Sequence, residues 1–292
     1  YNLIYILKNG GKMKLKSLII LTSFLLLLTA CNKIFVRNNS TSQENKEIQM
    51  SNMNSEKTLS FVKESLKWII KDENTENFIN LVRDYNDSIS TNLLSADFSN
   101  NLHPDYDIGE IIKERDKINH KYLNTNCRIN SYLLLKDSLS LKENVDIDDS
   151  ILFMDIDIIE KSKLFNEDET KKFKKLFSRV KTIKSKNPKK QAKIMSDFLS
   201  NFNFPKNVKM ISVVLHDNLD GDYLFIGHVG VLIPNEKGYL FLEKISFEEP
   251  YQALKFSNKE SCYKYLKEKY KDYKDPNVAP PFIMENNKYV EI

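Results

Sequence analysis

The chain has 292 residues and carries 44 Lys and Arg against 40 Asp and Glu, which gives a net charge of +4. With a charge so close to balance and no nucleic-acid-binding motif, the sequence argues against a nucleic-acid partner. The basic residues concentrate in residues 161–193, which we interpret as a solvated helical face. Affinity for anionic lipid or an anionic wall polymer is the alternative interpretation.

Residues 13–30 are typical of a bacterial signal peptide. Two lysines precede an apolar run, Leu18–Leu28, which is too short for a comfortable membrane span. The stretch Leu28–Cys31 then resembles the lipobox of bacterial lipoproteins, which implies cleavage before Cys31 and lipidation of its thiol. A membrane anchor or a buried helix is the minor alternative. We therefore expect a protein that is lipid-anchored to the cell membrane through Cys31, on the extracytoplasmic face.

The remaining sequence predicts a tether followed by one domain. Residues 1–12 precede the first methionine, Met13, and we interpret them as upstream read-through. Residues 31–58 are rich in Asn, Ser, Gln and Lys and lack periodic apolar positions, which predicts a flexible tether. Residues 59–292 are long enough for a single domain with a substantial core, and they contain no repeat and no second linker.

Two cysteines remain if Cys31 carries lipid, namely Cys127 and Cys262. Export would permit a disulfide bond between them, and such a bond would silence Cys127 as a reactive thiol. Two cysteines do not make a zinc framework, and we expect neither a metal nor another cofactor.

The first half of the domain is predicted to be helical. The apolar run after Cys127 predicts a central helix that is covered on most sides. Residues 141–204 are interpreted as further helices, interrupted at Pro188 and Pro205. Amphipathic spacing predicts three earlier helices, the second of them capped by Thr75: Leu59–Ile70, Thr75–Tyr85 and Ile108–Lys121.

The second half is predicted to be mainly β-structure. Three segments are rich in β-branched and aromatic residues and are separated by turn residues. They are predicted to form antiparallel strands: Val208–Leu215, Tyr223–Ile233 and Gly238–Ile245. A helix is predicted to begin at Ser257, and two short strands are predicted around Asn286 and Asn287. Helices followed by an antiparallel sheet predict an α+β fold.

His228 lies in the middle of a predicted strand, between Gly227 and Gly230. Glycine inside a strand costs stability and often marks the close approach of another backbone or a ligand. A lone histidine in a strand is by default an ordinary core or surface residue. Its interpretation therefore depends on the neighbouring strand.

Glu243 is an acid inside the otherwise apolar stretch LFLEKI. A buried carboxylate is costly in isolation, so it needs a partner. If the hairpin closes through the four-residue loop Pro234–Lys237, His228 falls opposite Glu243. A slip of two residues would keep both side chains on one face, whereas a slip of one residue would separate them. An outward-facing edge charge is the alternative.

Cys127, His228 and Glu243 together supply a nucleophile, a general base and an orienting acid. This chain order resembles that of NlpC-type cell-wall peptidases, a branch of the papain-like superfamily. In that family the Cys begins a central helix, and the other two residues lie on neighbouring antiparallel strands. The resemblance implies a papain-like, NlpC-like fold in which a helical insertion separates Cys127 from His228.

The chain also resembles, over nearly its whole length, an uncharacterised family of bacterial lipoproteins, domain of unknown function 4300. This resemblance is carried by the motif Asn126-Cys127-Arg128, the strand Gly227–Leu232 and the block Glu243–Phe256. The family implies no established activity, so the chemistry must be argued from the residues.

Three residues near the nucleophile are candidates for substrate binding. Arg128 could hold a substrate carboxylate, although an external salt bridge is the favoured alternative. Tyr122 could donate to an oxyanion. Asn126 adjoins the nucleophile and, like Thr125, is a candidate helix cap. Glu248 and Glu249 are expected to cap a following helix or to line the substrate groove.

We therefore predict a membrane-tethered cysteine hydrolase, a peptidase or amidase, that acts on a peptide or peptidoglycan-type amide bond in the cell envelope. Two alternatives stay open. The first is a non-catalytic lipoprotein that binds a wall fragment or a protein partner on the same fold. The second is an acyltransferase that uses the same three residues with an amine as the acceptor.

Overall fold

The computed structural model describes residues 48–142, 146–273 and 275–292. The predictions made for residues 1–12, for the signal peptide 13–30 and for Cys31 lie outside these residues. Within them the chain forms eight α-helices: α1 Glu56–Leu66, α2 Asp72–Asn86, α3 Ile108–Arg115, α4 Cys127–Leu135, α5 Phe153–Ser162, α6 Glu167–Phe177, α7 Pro188–Leu199 and α8 Lys259–Lys269. None of the helices in the described part is both long enough and apolar enough to cross a membrane.

Ten strands accompany the helices, and eight of them form one antiparallel sheet. The strands are β1 Gln49–Ser51, β2 Ser140–Leu141, β3 Val180–Lys181, β4 Phe202–Asn203, β5 Lys209–Asp217, β6 Tyr223–Asn235, β7 Gly238–Lys244, β8 Tyr251–Phe256, β9 Phe282–Glu285 and β10 Lys288–Val290. The order in the sheet is β1-β8-β7-β6-β5-β9-β10, with β3 paired to β6, while β2 and β4 pair separately. The expected α+β class is confirmed.

The folded domain begins earlier than the predicted boundary at Leu59. The strand β1 pairs with β8, where Met50 faces Leu254. Ser55 then caps α1 by accepting a hydrogen bond from the Thr58 amide at 3.2 Å. The tether prediction is therefore wrong for residues 49–58, because backbone pairing and capping order a stretch whose composition is polar.

The helix α4 lies at the centre of the domain, as its apolar sequence predicts. All nine of its residues are buried, and it packs against α2 and against strands β6 and β7 of the sheet. Helix α6 instead exposes one face: Phe173, Leu176 and Phe177 are buried, whereas Lys171 and Lys172 are exposed. Lys171 and Lys172 therefore lie on a solvated face, as predicted, whereas Lys175 of the same helix is buried.

The hairpin that carries His228 and Glu243 is shifted by two residues from the predicted register. Strand β6 continues through Pro234 to Asn235, so Asn235 rather than Ile233 pairs with Gly238. The pairing of β6 with β5 already ends at Leu232, and Pro234 therefore costs no hydrogen bond on that side. Gly238 has a φ of +138°, which lets the chain turn back after only two residues.

Three predicted helix features need correction. Residues 251–256 form the strand β8 rather than a helix, so Glu248 and Glu249 precede a strand and cap no helix. Helix α2 begins at Asp72, which places Thr75 inside the helix instead of at its cap. Helix α3 ends at Arg115, earlier than predicted. The backbone amide of the C-cap residue, Asp116, donates to the Ile112 carbonyl oxygen.

Candidate functional site

The thiol of Cys127 lies in the first turn of α4, where the capping residue fixes the start of the helix. Asn126 accepts a hydrogen bond from the Ile129 amide at 3.0 Å, as expected for a helix cap. Its side-chain amide also donates to Asp155 at 2.7 Å. A helix N-terminus favours a negative charge, so this position favours the thiolate over the thiol.

His228 lies on β6, between the thiol and an acid. Its Nε2 contacts Oε2 of Glu243 at 2.5 Å, and its imidazole interacts with the Cys127 thiol closely enough to lower the pKa of that thiol. Because Nε2 faces Glu243, Nδ1 is the nitrogen left for the thiol. The ring of Tyr270 stacks on the imidazole, with centroids 5.4 Å apart and planes inclined by 28°.

The glycines beside His228 allow the close packing that their position predicts. A Cβ atom on Gly230 would lie 2.3 Å from the Phe241 ring and 2.8 Å from the Leu242 carbonyl oxygen. A Cβ atom on Gly227 would lie 2.3 Å from the Leu215 side chain. The absence of a side chain at these two positions lets the flanking strands approach, and His228 is held in the interior between them.

Glu243 is buried and accepts hydrogen bonds through both carboxylate oxygens. Oε2 faces His228, whereas Oε1 accepts from the Lys269 ammonium at 2.9 Å and from the Tyr265 hydroxyl at 3.3 Å. Lys269 and Tyr265 are one helical turn apart on α8. The acid is thus not an edge charge, and α8 supplies the partners that its burial requires.

The environment favours the charged forms of all three residues. Burial alone would raise the pKa of the Cys127 thiol, but the hydrogen bond and charge of His228 and the charge of Arg128 bring it below its usual value. Burial would lower the pKa of His228, but Glu243 and the bond to Cys127 raise it to about 9. Burial would raise the pKa of Glu243, but Lys269 and His228 lower it to about 2. The arrangement therefore favours a thiolate–imidazolium pair.

Cys262 provides a contrast within the same protein. It lies on α8 and is fully buried, and burial together with the charges of Glu243 and Glu285 raises the pKa of its thiol well above the usual value. Both Cys127 and Cys262 are free thiols, so no disulfide joins them. Only Cys127 has the surroundings of a nucleophile.

Arg128 is committed to a buried ion pair. Its guanidinium donates to both carboxylate oxygens of Asp155, at 3.0 Å and 2.7 Å, and to the Ile226 carbonyl oxygen at 3.3 Å. Because Arg128 is 4% exposed and Asp155 is fully buried, Arg128 does not face a substrate. Both predictions for Arg128, binding of a substrate carboxylate and an external salt bridge, are therefore wrong, because its salt bridge with Asp155 is internal. Asp155 also accepts a hydrogen bond from Asn126 and so connects the start of α4 to α5.

Tyr122 is not brought to the thiol. It lines a small cavity of about 10 Å³ together with Tyr85, Arg115 and Lys244, and Cys127 does not line that cavity. Thr125, the other cap candidate, instead shares a hydrogen bond of 2.9 Å with the Tyr251 hydroxyl. The candidate site therefore consists of Cys127, His228 and Glu243, with Asn126 positioning the helix start.

Two charged residues at the site, the buried Asp155 and the partly buried Lys269, escaped sequence analysis. Both lie on the apolar stripe of a helix, which is a readable signal. Asp155 follows Leu152 by three residues and precedes Ile159 by four, and all three are buried. Lys269 follows Tyr265 by four residues and so shares its helix face. Among the described residues, no cluster of three or more His, Cys, Asp or Glu side chains could hold a metal ion.

Comparison with known proteins identifies a family but no individual related protein. The family model described as Domain of unknown function (DUF4300) matches residues 49–290, and the chain belongs to that family. No curated protein and no solved structure shows a significant match to the chain. The matched segment begins at the first residue of β1 and ends at the last residue of β10.

Proposed function

We propose that the protein is a cysteine hydrolase that cleaves an amide bond of a peptide or peptidoglycan-type substrate in the cell envelope. One observation carries the proposal, namely that Cys127 begins a central helix and interacts with His228, whose Nε2 meets Oε2 of Glu243 at 2.5 Å. A structural cysteine needs neither a buried histidine nor a buried acid behind it. A nucleophile needs both, because the histidine must move a proton and must be held in one orientation while doing so.

The proposed reaction has two stages. The Cys127 thiolate attacks the amide carbonyl carbon, and the imidazolium of His228 gives its proton to the leaving amine as the carbon–nitrogen bond breaks. A thioester remains on Cys127. His228, now neutral, takes a proton from a water molecule, whose oxygen attacks the thioester carbon. The carboxylic acid product leaves, and the thiolate and the imidazolium are both restored.

The start of α4 would also stabilise the developing negative charge on the carbonyl oxygen. The first amide groups of a helix have no acceptor within the helix. The backbone amides of Cys127 and Arg128 lie close to the sulfur because they belong to the same residue and the next one. The Ile129 amide already donates to the Asn126 side chain. Backbone donors fixed in this way can stabilise an oxyanion without reorganisation during the reaction.

The arrangement of elements supports a papain-like interpretation of the fold. A Cys that begins a central helix, with a His and an acid on adjacent antiparallel strands, is similar to the pattern in NlpC-type peptidases. Here these elements are α4, β6 and β7. Helices α5, α6 and α7 lie between Cys127 and His228 in the chain and correspond to the expected helical insertion.

The envelope location is proposed from the N-terminal sequence. The run Leu18–Leu28 and the lipobox-like Leu28–Cys31 support export and lipidation of Cys31. A lipid anchor at Cys31 would keep the domain at the membrane surface, where peptidoglycan and its peptides are the abundant amide-containing polymers. This location, and not a specificity pocket, is the basis for the proposed substrate class.

A second candidate function is binding without catalysis, and the low exposure of the thiol favours it. Cys127 is 5% exposed, and His228 is 1% exposed. A substrate must therefore displace covering side chains before its carbonyl can reach the sulfur. A protein that only binds a wall fragment or an envelope partner on the same fold would have no need for that movement.

Digestion of isolated peptidoglycan tests the proposal. Purified wall is incubated with the full chain, with Cys127→Ala and with Cys262→Ala, and new amino and carboxyl termini among the soluble fragments are identified by mass spectrometry. We expect new termini from the wild type and from Cys262→Ala but not from Cys127→Ala. Equal release by all three proteins would contradict a role for Cys127. Fragments joined to an added amine would identify acyl transfer instead of hydrolysis.

A further inference from the structure

Glu243 has a charged partner outside the predicted catalytic set, namely the ammonium of Lys269. The carboxylate is 2% exposed, and its two oxygens face opposite partners: Oε2 faces His228 at 2.5 Å, and Oε1 faces the Lys269 ammonium at 2.9 Å. Lys269 is the first of the stabilising charges that lower the pKa of Glu243, ahead of His228. The acid therefore has a dedicated counter-ion on a separate element, helix α8.

The charges at the site balance only if Lys269 is counted. A thiolate at Cys127 and a carboxylate at Glu243 give two negative charges, whereas the imidazolium of His228 gives one positive charge. In a buried site, an unmatched charge is costly, and a carboxylate responds by taking up a proton. The ammonium of Lys269 supplies the second positive charge and makes the four-residue series neutral.

We propose that Lys269 is a positioning residue of the Cys127–His228–Glu243 site, which keeps Glu243 ionised and turned toward His228 so that the imidazolium can support the thiolate. The inference rests on the proposed function. It identifies α8 as the element on which that function depends, and it explains how a full carboxylate can occupy a buried strand position.

Other polar groups face Glu243, but none of them can replace Lys269. Gln252 is its cross-strand neighbour, and the Tyr265 hydroxyl bonds to Oε1. Both are neutral. In the part of the chain that the structure describes, the other titratable groups that interact electrostatically with Glu243 are His103, Tyr106, Cys262 and Tyr270. Burial lowers the pKa of His103, which makes it a poor cation.

Helix α8 offers a matched control for Lys269. Lys259 lies on the same helix and binds Glu285 of β9 at 2.8 Å, so it also ties α8 to the sheet through a carboxylate. The side chains of Lys259 and Glu285 are 36% and 15% exposed, and the groups that shift the pKa of Glu285 do not include Cys127, His228 or Glu243. A role for Lys269 that is merely structural should be matched by Lys259.

The test is the pH profile of iodoacetamide labelling at Cys127, followed by peptide mass spectrometry. Without Lys269, Glu243 accepts a proton at higher pH, His228 loses its anionic partner, and the thiolate forms only at higher pH. We expect Lys269→Met to move the labelling midpoint upward by about one pH unit, which slows labelling roughly tenfold below the midpoint. Lys269→Arg keeps the positive charge, so its labelling midpoint should lie close to that of the wild type. Lys259→Met should leave the profile unchanged.

Two outcomes would overturn the inference. One is a Lys269→Met profile that coincides with the wild-type profile, and the other is an equal shift in Lys259→Met. Thermal unfolding of each variant shows whether the domain is folded. If Lys269→Met is not folded, the pH profile of Cys127 labelling is measured on Lys269→Arg instead. Wild-type Cys127 that reacts no faster than Cys262 would instead contradict the proposed function itself. An unchanged Lys269→Met profile beside fast wild-type labelling would contradict only the role of Lys269.

Discussion

His228 and Glu243 lie diagonally across the neighbouring strands β6 and β7, and their side chains meet at 2.5 Å. The ladder pairs Val231 with Leu242, which would place Glu243 opposite Gly230. A Cβ atom on Gly230 would lie 2.3 Å from the Phe241 ring. The glycine therefore allows Phe241 to pack against this part of β6, beside the His228–Glu243 pair.

The His228–Glu243 pair makes stability depend on pH. The pKa of His228, about 9, lies above its ordinary value of 6.5, so its contribution is fully present below pH 6.5 and is lost as the pH rises through 9. The pKa of Glu243, about 2, lies below its ordinary value of 4.5, so its contribution is present above pH 4.5 and is lost as the pH falls through 2. Both contributions are complete between pH 4.5 and 6.5.

Glu243→Gln should therefore destabilise the domain most in that window. The variant leaves the buried His228 and the partly buried Lys269 without their anion, and an unpaired buried charge costs about 3–5 kcal/mol. The loss should shrink toward pH 9, where His228 becomes neutral. Urea unfolding of the wild type and the variant across this range measures the difference. A loss of stability that does not vary with pH would contradict a charged His228–Glu243 pair.

Gly230→Ala should destabilise the domain by about 2–3 kcal/mol, because the added carbon must displace a packed ring and a backbone carbonyl. The distances to these groups are 2.3 Å and 2.8 Å. Gly109→Ala is the matched control in helix α3, where the new Cβ would meet only an Asp107 side-chain oxygen at 3.5 Å. There alanine should stabilise slightly, since glycine is the poorer helix former. Thermal unfolding compares the two, and equal effects would show that the packing at Gly230 is unimportant.

The sequence was sufficient to predict the α+β class, the helix at Cys127 and the face shared by His228 and Glu243. The α+β class and the helix at Cys127 follow from local sequence patterns, because the α4 segment is apolar nearly all round and the strands are rich in β-branched residues. The shared face was predictable for a different reason. Side chains alternate along a strand, so an error of two residues in register leaves His228 and Glu243 on the same side of the sheet.

The errors arose where tertiary contacts override local preference. Strand β8 contains Gln252, Ala253, Leu254 and Lys255, which are good helix formers, and its pairing with β7 and β1 decides its conformation. Pro234 was predicted to lie in the turn, but it lies in the part of β6 that pairs with β7 and no longer with β5. The partners of Glu243 and Arg128 come from α8 and α5, and no local pattern in the chain connects those helices to the site.

The buried Arg128–Asp155 pair should be important for the start of α4. Asp155→Asn leaves the Arg128 guanidinium without a counter-ion and should destabilise the domain by about 3–5 kcal/mol. Asp157→Asn is the control on the same helix, because its pair with Lys161 is exposed and should contribute no more than about 1 kcal/mol. Chemical denaturation measures both variants. A similar small loss in the two would contradict the assignment of Asp155 as a buried anchor.

The proposed lipidation of Cys31 leads to a prediction about the location of the protein. Cys31→Ser should release the domain from the membrane fraction of an expressing bacterium, because the thiol that would carry the lipid is gone. The wild type should partition into detergent, whereas the variant should not. A variant that stays fully membrane-bound would show that an uncleaved apolar segment holds the protein instead.

The most direct test of the central claim compares Cys127 and Cys262 in one reaction. Both thiols are free and buried, but His228 lowers the pKa of Cys127, whereas burial raises the pKa of Cys262. Iodoacetamide at neutral pH should label Cys127 at least about tenfold faster than Cys262, because the thiolate is the reacting form. Cys127→Ala should abolish the fast phase, and His228→Ala should slow it without unfolding the domain. Equal labelling of the two cysteines, or an unchanged rate in a folded His228→Ala variant, would contradict the identification of Cys127 as an activated nucleophile.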